Sequence, residues 1–189
     1  MIVCLGWGSL IWCQKRLPIA GTWQSDGPEL PVEFARESRD KRITLVICKG
    51  RPVVKVLWAA LDVQTLDEAK QALAVREGVE ARNIQHSIGY WSPAGASSNP
   101  GTAAIGRWAA ERPVQGVVWT TLKPGLKLSR NAGDYGIPTQ EEVLQHLSGL
   151  EGRERDAAEE YVRLAPRQIV TPYRKAIEDA FGWSASGQL

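Results

Sequence analysis

The order of hydrophobic and polar positions predicts strands in the first third of the chain. Apolar, β-branched and aromatic residues form short runs, separated by turn-forming or charged residues, at 1–5, 31–35, 43–48 and 53–63. Such runs are typical of β-strands. The charged stretch 36–42 lies between two of them and has the pattern of a solvated hairpin turn. We therefore expect a sheet before residue 65.

A helix is predicted directly after these strands. Thr65 and Glu68 form the T-x-x-E pattern that caps helix N-termini. Apolar residues then recur at helical spacing as far as Gly78, a residue type that commonly ends helices. The pattern therefore predicts a helix over residues 66–77.

The rest of the chain is predicted to return to sheet and then to become helical. Turn formers at 92–101 predict a loop, and residues 102–109 and 114–122 have strand-like composition. Three helical patterns follow: a capping box at Thr139 and Glu142, an amphipathic stretch at 153–164, and a Thr171-Pro172 start that Gly182 ends.

This order of elements is typical of an α+β fold, with a mixed β-sheet or a small β-barrel and flanking helices. The length of 189 residues suits one domain. We therefore expect a single domain over 1–189, with residues 138–189 as a helical C-terminal extension.

Composition narrows the function classes. The 23 Lys and Arg nearly balance the 21 Asp and Glu, which disfavours a nucleic-acid partner. No apolar run is long enough to span a membrane, and the start lacks the pattern of a secretory signal. The three cysteines, Cys4, Cys13 and Cys48, have no CxxC spacing and indicate a reducing, cytoplasmic compartment. An RNA-binding or interaction domain using Trp faces and residues 36–42 stays a minor alternative.

The same residues predict neither a metal nor a cofactor. The two His, His86 and His146, are far apart in the sequence, whereas metal motifs usually bring ligands in close pairs. The sequence leaves the oligomeric state open.

The first candidate site is the glycine-containing loop after the first predicted strand. Its residues are Gly6, Trp7, Gly8, Ser9, Leu10 and Ile11. Two glycines there would let backbone N–H groups converge on a carboxylate or phosphate, and we expect Gly8 to need a positive φ. The alternative is an ordinary tight turn.

The second candidate is Glu77, at the end of the predicted helix. At 100° per residue it projects along the face of Leu66, Ala69 and Leu73, so its carboxylate is aimed toward the core. A half-buried acid tends to have a raised pKa and then suits proton transfer near neutral pH. The alternative is that Arg76 or another base pairs with it structurally.

Three motifs in order resemble the γ-glutamylcyclotransferase superfamily. They are GWGSLIW after the first strand, FARESRDKRITLVI from Phe34, and VREGV around Glu77. The loop string and the Arg76-Glu77 pair are similar to the glutathione-degrading ChaC branch, and Glu77-Gly78-Val79 to the classical and butirosin-type branch. The resemblance covers residues 1–122 loosely, and the helical segment after 138 matches nothing we can name.

The resemblance implies both an activity and its residues. In that superfamily a Tyr-Gly-Ser loop binds the γ-glutamyl moiety, and a glutamate at the end of the first helix is the acid and base. The matching residues here are Trp7, Gly8, Ser9 and Leu10 for the loop, and Glu77 for the acid. Trp7 departs from the family's usual Tyr.

The implied reaction is intramolecular cyclisation of a small γ-glutamyl substrate. The substrate's α-amine attacks the γ-carbonyl, releasing 5-oxoproline and an amine, with Glu77 as general acid and base. The chemistry requires no metal, redox cofactor or enzyme nucleophile. The alternative is a non-catalytic small-ligand-binding domain of the same fold, in which Trp7 reshapes the pocket.

Overall fold

Strands and helices alternate along the chain. The computed structural model describes residues 1–127 and 136–186. The strands are β1 (Ile2–Gly6), β2 (Ile19–Gln24), β3 (Glu29–Leu30), β4 (Val32–Glu37), β5 (Ile43–Ile47), β6 (Val54–Lys55), β7 (Leu57–Leu61), β8 (Ile88–Ser92), β9 (Gly95–Ala96) and β10 (Gly116–Thr120). The α-helices are α1 (Leu66–Glu77), α2 (Ile84–Ser87), α3 (Thr102–Ala110), α4 (Gln140–Ser148), α5 (Gly152–Leu164) and α6 (Pro172–Phe181), and a 3-10 helix at Ala81–Asn83 precedes α2. The predicted α+β class is confirmed.

The chain forms two compact units. Unit 1 comprises Met1–Gly6, Leu10–Leu30 and Lys55–Leu122. Unit 2 comprises Trp7–Ser9, Pro31–Val54 and the described part of Lys123–Leu189. The predicted C-terminal helices thus share a unit with β4 and β5. The single-domain interpretation of 1–189 stays a prediction.

Unit 1 is built on a six-stranded mixed sheet in the order β2-β7-β1-β10-β8-β9. β1 and β10 are parallel, and the other neighbours are antiparallel. The sheet ends at β2 on one side and β9 on the other. It is therefore an open sheet, and the small barrel that the sequence left open is not what these strands form.

Helices cover both faces of this sheet. Tyr90 and Trp91 are neighbours in β8, and successive strand residues point to opposite faces. The Tyr90 ring lies beneath Lys70 of α1, whereas the Trp91 ring lies against Gly106 of α3. Cys4 and Tyr90 both pair with Val118 in the sheet, so Cys4 also lies on the face that α1 covers. This register brings β1 close to α1.

Unit 2 is a β4–β5 hairpin with three helices. Val32 pairs with Ile47 and Glu37 with Ile43, as the charged stretch 36–42 predicts for a hairpin turn. Helix α6 packs on β4, α5 packs on β5, and α4 packs on α6. The three predicted C-terminal helices are confirmed.

The main error in the predicted elements is α3. Residues 102–109 have strand-like composition, yet they form a helix. Its buried residues Ile105, Trp108 and Ala109 lie at i, i+3 and i+4, which is a helical spacing, and Ala is the strongest helix former. No separate strand was predicted for β2 or β8. None of the helices within 1–127 and 136–186 has the length and apolar composition needed to cross a membrane.

Candidate functional site

Helix α1 places Glu77 through caps at both of its ends. The Thr65 side chain accepts a hydrogen bond from the Glu68 N–H, as the capping pattern predicts. The Glu68 carboxylate accepts a hydrogen bond from the Gln64 N–H, whereas in the usual capping box it would accept one from the N–H of Thr65. Gly78 ends the helix at φ 67° and donates its N–H to the last carbonyls. The helix therefore stops with Glu77 in its last turn.

Glu77 is half-buried and ion-paired with its neighbour. Its side chain is 16% exposed, and that of Arg76 is 6% exposed. Arg76 Nη1 donates to Glu77 Oε1 at 2.6 Å. The sequence left open whether Glu77 is a free acid or a partner of Arg76, and the structure contains the pair. This pairing is compatible with a chemical role, because one charge-assisted bond restrains the carboxylate and leaves the side chain 16% exposed.

Arg76 also ties Glu77 to the chain that follows the glycine-containing loop. Its Nη2 donates to the carbonyl oxygen of Cys13 at 2.7 Å, in the same unit. The Cys4 thiol of β1 is near the pair as well. Burial, followed by the charge of the Glu77 carboxylate, raises the pKa of Cys4, which favours the protonated thiol over the nucleophilic thiolate.

The loop itself is divided between the units. Gly6, Leu10 and Ile11 belong to unit 1, and Trp7, Gly8 and Ser9 to unit 2. Leu10 and Ile11 are buried, and Ser9 is half-buried. Trp7 is also buried, and its ring N–H donates to the carbonyl oxygen of Leu45 in β5 at 3.1 Å. The indole N–H of Trp7 is therefore bonded to the protein itself.

Glycine is required at both loop positions because neighbouring side chains approach the loop backbone closely. Neither Gly6 nor Gly8 adopts a positive φ, so the expectation for Gly8 is wrong. A Cβ on Gly6 would lie 2.7 Å from the Trp23 ring. A Cβ on Gly8 would lie well inside 3.0 Å of the Tyr161 hydroxyl. Side chains are excluded by an aromatic residue in each unit and not by backbone conformation.

Comparisons of the chain with protein-family models, with curated proteins and with solved structures give no match. The superfamily resemblance consequently depends on the three motifs alone. The sharing of one cavity by Gly8 and Glu77 stays a prediction.

A second buried carboxylate lies in unit 2, at the start of α6. Glu33 of β4 accepts hydrogen bonds from the Thr171 hydroxyl, from the N–H of Phe34 at 2.9 Å and from the N–H of Tyr173 at 3.4 Å. Burial raises the pKa of Glu33, against the lowering effect of these bonds. Burial and the nearby Glu33 carboxylate raise the pKa of Cys48 to about 12. The Glu33 carboxylate therefore caps α6, and the raised pKa of Cys48 favours its protonated thiol.

Unit 1 also contains a cavity that is lined by other polar groups. A cavity of about 400 Å³ in unit 1 is lined by residues of α1, the 3-10 helix, α2 and β8, among them Lys70, Arg82 and Tyr90. Glu77 is absent from this lining. Within the described part of the chain, no three His, Cys, Asp or Glu side chains come together as a candidate metal site.

Two residues at these candidates have contacts that were not predicted: Arg76 was named from the sequence only as an alternative partner of Glu77, and Tyr161 was not named. Arg76 follows Ala69 and Leu73 at i+7 and i+3, so helical spacing could have shown that it is buried. Tyr161 lies in a segment for which no resemblance was found, and no local pattern points to its contact with Gly8.

Proposed function

We propose that the protein cleaves a γ-glutamyl amide or peptide by intramolecular cyclisation. The substrate's α-amine nitrogen bonds to its γ-carbonyl carbon, and the bond from that carbon to the leaving nitrogen breaks. The products are 5-oxoproline and a free amine. Glu77 takes the proton from the attacking amine and returns it to the leaving nitrogen.

The observation that supports this role best is the fixed position of the Glu77 carboxylate. Arg76 binds Glu77 with one nitrogen and the Cys13 carbonyl with the other, so the carboxylate is tied to the chain just beyond the loop. Its 16% exposure leaves the side chain access to a ligand. A general base must be oriented within hydrogen-bond reach of the proton it takes, and the guanidinium supplies that orientation.

Positioning accounts for much of the rate in this scheme. Intramolecular attack reaches effective molarities of about 10⁵ to 10⁸ M when the reacting groups are held together. In the proposal, backbone N–H groups of the loop at Gly6, Trp7, Gly8, Ser9, Leu10 and Ile11 hold the γ-glutamyl moiety. The free thiols of Cys4, Cys13 and Cys48 support a cytoplasmic location.

Substitution of Glu77 tests the function directly. The purified protein is incubated with glutathione, γ-glutamylalanine and several γ-glutamylamines, and 5-oxoproline is measured by mass spectrometry. We expect Glu77→Gln to lower product formation by about 10²- to 10⁴-fold, because the amide cannot accept the proton. Glu80→Gln is the matched control: Glu80 is 62% exposed and paired with Arg82, so activity should be unchanged.

Two results would contradict the proposal. The first is full turnover by folded Glu77→Gln protein, which would make Glu77 only a structural partner of Arg76. The second is the absence of 5-oxoproline with every substrate of the panel. Saturable binding of a γ-glutamyl compound without turnover would then favour the non-catalytic binding domain.

A further inference from the structure

Tyr161 extends from α5 to the loop segment Trp7–Ser9. The residue is buried on the inner face of α5, beside Ala158 and Val162. Its ring meets Phe34 edge-on, with centroids 6.3 Å apart, and the Arg42 guanidinium lies 5.6 Å from its centroid. These contacts fix the ring on more than one side. The position of its hydroxyl is therefore constrained by Phe34 of β4 and by Arg42.

The Tyr161 hydroxyl and the Trp7 indole bind the same residue of β5. The N–H of Leu45 donates to the Tyr161 hydroxyl oxygen at 3.2 Å. The carbonyl of Leu45 accepts the Trp7 ring N–H at 3.1 Å. The N–H and C=O of one residue in an antiparallel strand point to the same side. Both side chains therefore cover one edge of β5, and they place the segment Trp7–Ser9 along it.

Gly8 lies where the Tyr161 hydroxyl leaves no room for a side chain. A Cβ at Gly8 would clash with the hydroxyl oxygen, but it would be 3.3 Å from the Tyr161 Cζ and 4.0 Å from the Leu45 Cβ. Without the hydroxyl, the closest neighbour would need to move by only a few tenths of an ångström. A single oxygen atom thus defines how closely the loop backbone approaches α5.

We propose that Tyr161 is a positioning residue of the substrate-binding loop. Its hydroxyl fixes the distance of Gly8 from α5 and β5, and thereby the direction of the loop N–H groups that would hold the γ-glutamyl moiety. The consequence for substrate rests on the proposed function, whereas the positioning of Gly8 does not. A displacement of about 1 Å at such a site can cost about 100-fold in rate or affinity.

A double-mutant cycle on stability tests the positioning without any substrate. The variants are Gly8→Ala, Tyr161→Phe and the double mutant, with urea midpoints followed by Trp fluorescence. Gly8→Ala should lower the midpoint clearly in the parent and much less in the Tyr161→Phe background, because the clash is with the hydroxyl. Gly95→Ala is the matched control, since a Cβ there meets nothing within 4 Å. Strictly additive effects of Gly8→Ala and Tyr161→Phe would overturn the proposal.

A kinetic split tests the consequence for substrate. The test uses a compound of the panel that the parent protein turns over. Tyr161→Phe should raise KM about tenfold and leave kcat within about twofold, because the loop binds substrate and transition state alike. Tyr173→Phe is the control: this buried tyrosine of the same unit donates its hydroxyl to the Pro138 carbonyl instead. It should lose stability with no change in KM.

The stability cycle tests whether Tyr161 positions Gly8, and the kinetic comparison tests the consequence for substrate. An unchanged KM in Tyr161→Phe would overturn the substrate part of the proposal, and an equal rise in KM in Tyr173→Phe would reduce it to general loosening of unit 2. If the parent protein turns over no compound of the panel, the proposed function fails there, and the stability cycle still decides whether Tyr161 positions Gly8.

Discussion

At the scale of single residues, the ion pair between Arg76 and Glu77 links the candidate acid to the stability of the fold. A cation that is 6% exposed needs compensation for the water it has lost, and the Glu77 carboxylate and the Cys13 carbonyl are among the groups that supply it. The bond from Arg76 Nη1 also restrains the Glu77 carboxylate. The ion pair therefore has a structural effect whether or not Glu77 transfers protons, and stability measurements can isolate that effect from catalysis.

Arg76→Met should destabilise the protein by about 3 kcal/mol, because removal of one partner leaves a half-buried carboxylate uncompensated. The free energy of unfolding from urea titrations measures this. Adding Glu77→Gln should then cost less than it does alone, since the charge that needs a partner is gone. Arg82→Met is the control, because Arg82 and Glu80 form an exposed pair worth at most about 1 kcal/mol. Equal losses from Arg76→Met and Arg82→Met would contradict the structural role of Arg76.

At the scale of elements, three helices begin with the same residue type in different surroundings. Thr65, Thr139 and Thr171 each accept a backbone N–H at the start of a helix. Thr139 forms a reciprocal capping box with Glu142 near the surface. Thr171 is buried, and its hydroxyl donates to the Glu33 carboxylate of β4. Thr171 thus caps α6 and also donates a hydrogen bond to a buried carboxylate.

Substitution of these caps should show the difference. Thr139→Ala removes a surface cap and should cost about 1 kcal/mol of unfolding free energy. Thr171→Ala removes a cap and a hydrogen bond to a buried carboxylate, so it should cost about 2 to 4 kcal/mol. Thr139→Ser and Thr171→Ser, which keep the hydroxyl, should recover most of each loss. Similar costs for the two alanine variants would mean that the Thr171 bond to Glu33 adds nothing to stability.

The contrast between these elements explains which parts of the fold the sequence could predict. The starts of α1 and α4 were predicted from capping residues three apart, and the start of α6 from the adjacent pair Thr171-Pro172. The prediction of a strand at 102–109, where α3 lies, was wrong because composition was weighed above apolar spacing. The edge strand β2 has a mostly exposed pattern and a register shift between Ala20 and Gln24, so it carries little periodic signal.

The candidate site divides in the same way. Glu77 is set by local helix geometry, and its position at the end of α1 was predicted from spacing and from the resemblance. The close approach at Gly8 depends on Tyr161, and the bond between Tyr161 and Leu45 joins residues 116 positions apart. No pattern within a short window contains such a contact. The reason for glycine at this position was therefore beyond local sequence reasoning.

At the scale of the whole molecule, each unit carries a carboxylate whose protonation is linked to folding. In unit 1, the Trp58 ring N–H donates to Asp26 at 2.8 Å, and this bond, with Arg112, lowers the pKa of Asp26. Trp108 donates its ring N–H to the Asp26 carbonyl and lies edge-on to Trp58. In unit 2, burial raises the pKa of Glu33, which faces Thr171 and Tyr173, with Arg51 and Cys48 close enough to interact.

These two groups should give the stability curve opposite slopes on either side of pH 4. Asp26 has a folded pKa below its ordinary 3.8, so its contribution is present above that pH and is lost as the pH falls. Glu33 has a folded pKa above its ordinary 4.5, so its contribution is complete below 4.5 and is lost as the pH rises through the folded value.

Urea unfolding between pH 3 and 8 should show Asp26→Asn flattening the acid limb and Glu33→Gln flattening the limb above 4.5. The readout is the slope and not the level, because Glu33→Gln also exchanges a hydrogen-bond acceptor for a donor near the Tyr173 N–H. Parallel curves for the parent and Glu33→Gln above pH 4.5 would show that Glu33 titrates normally in the folded protein.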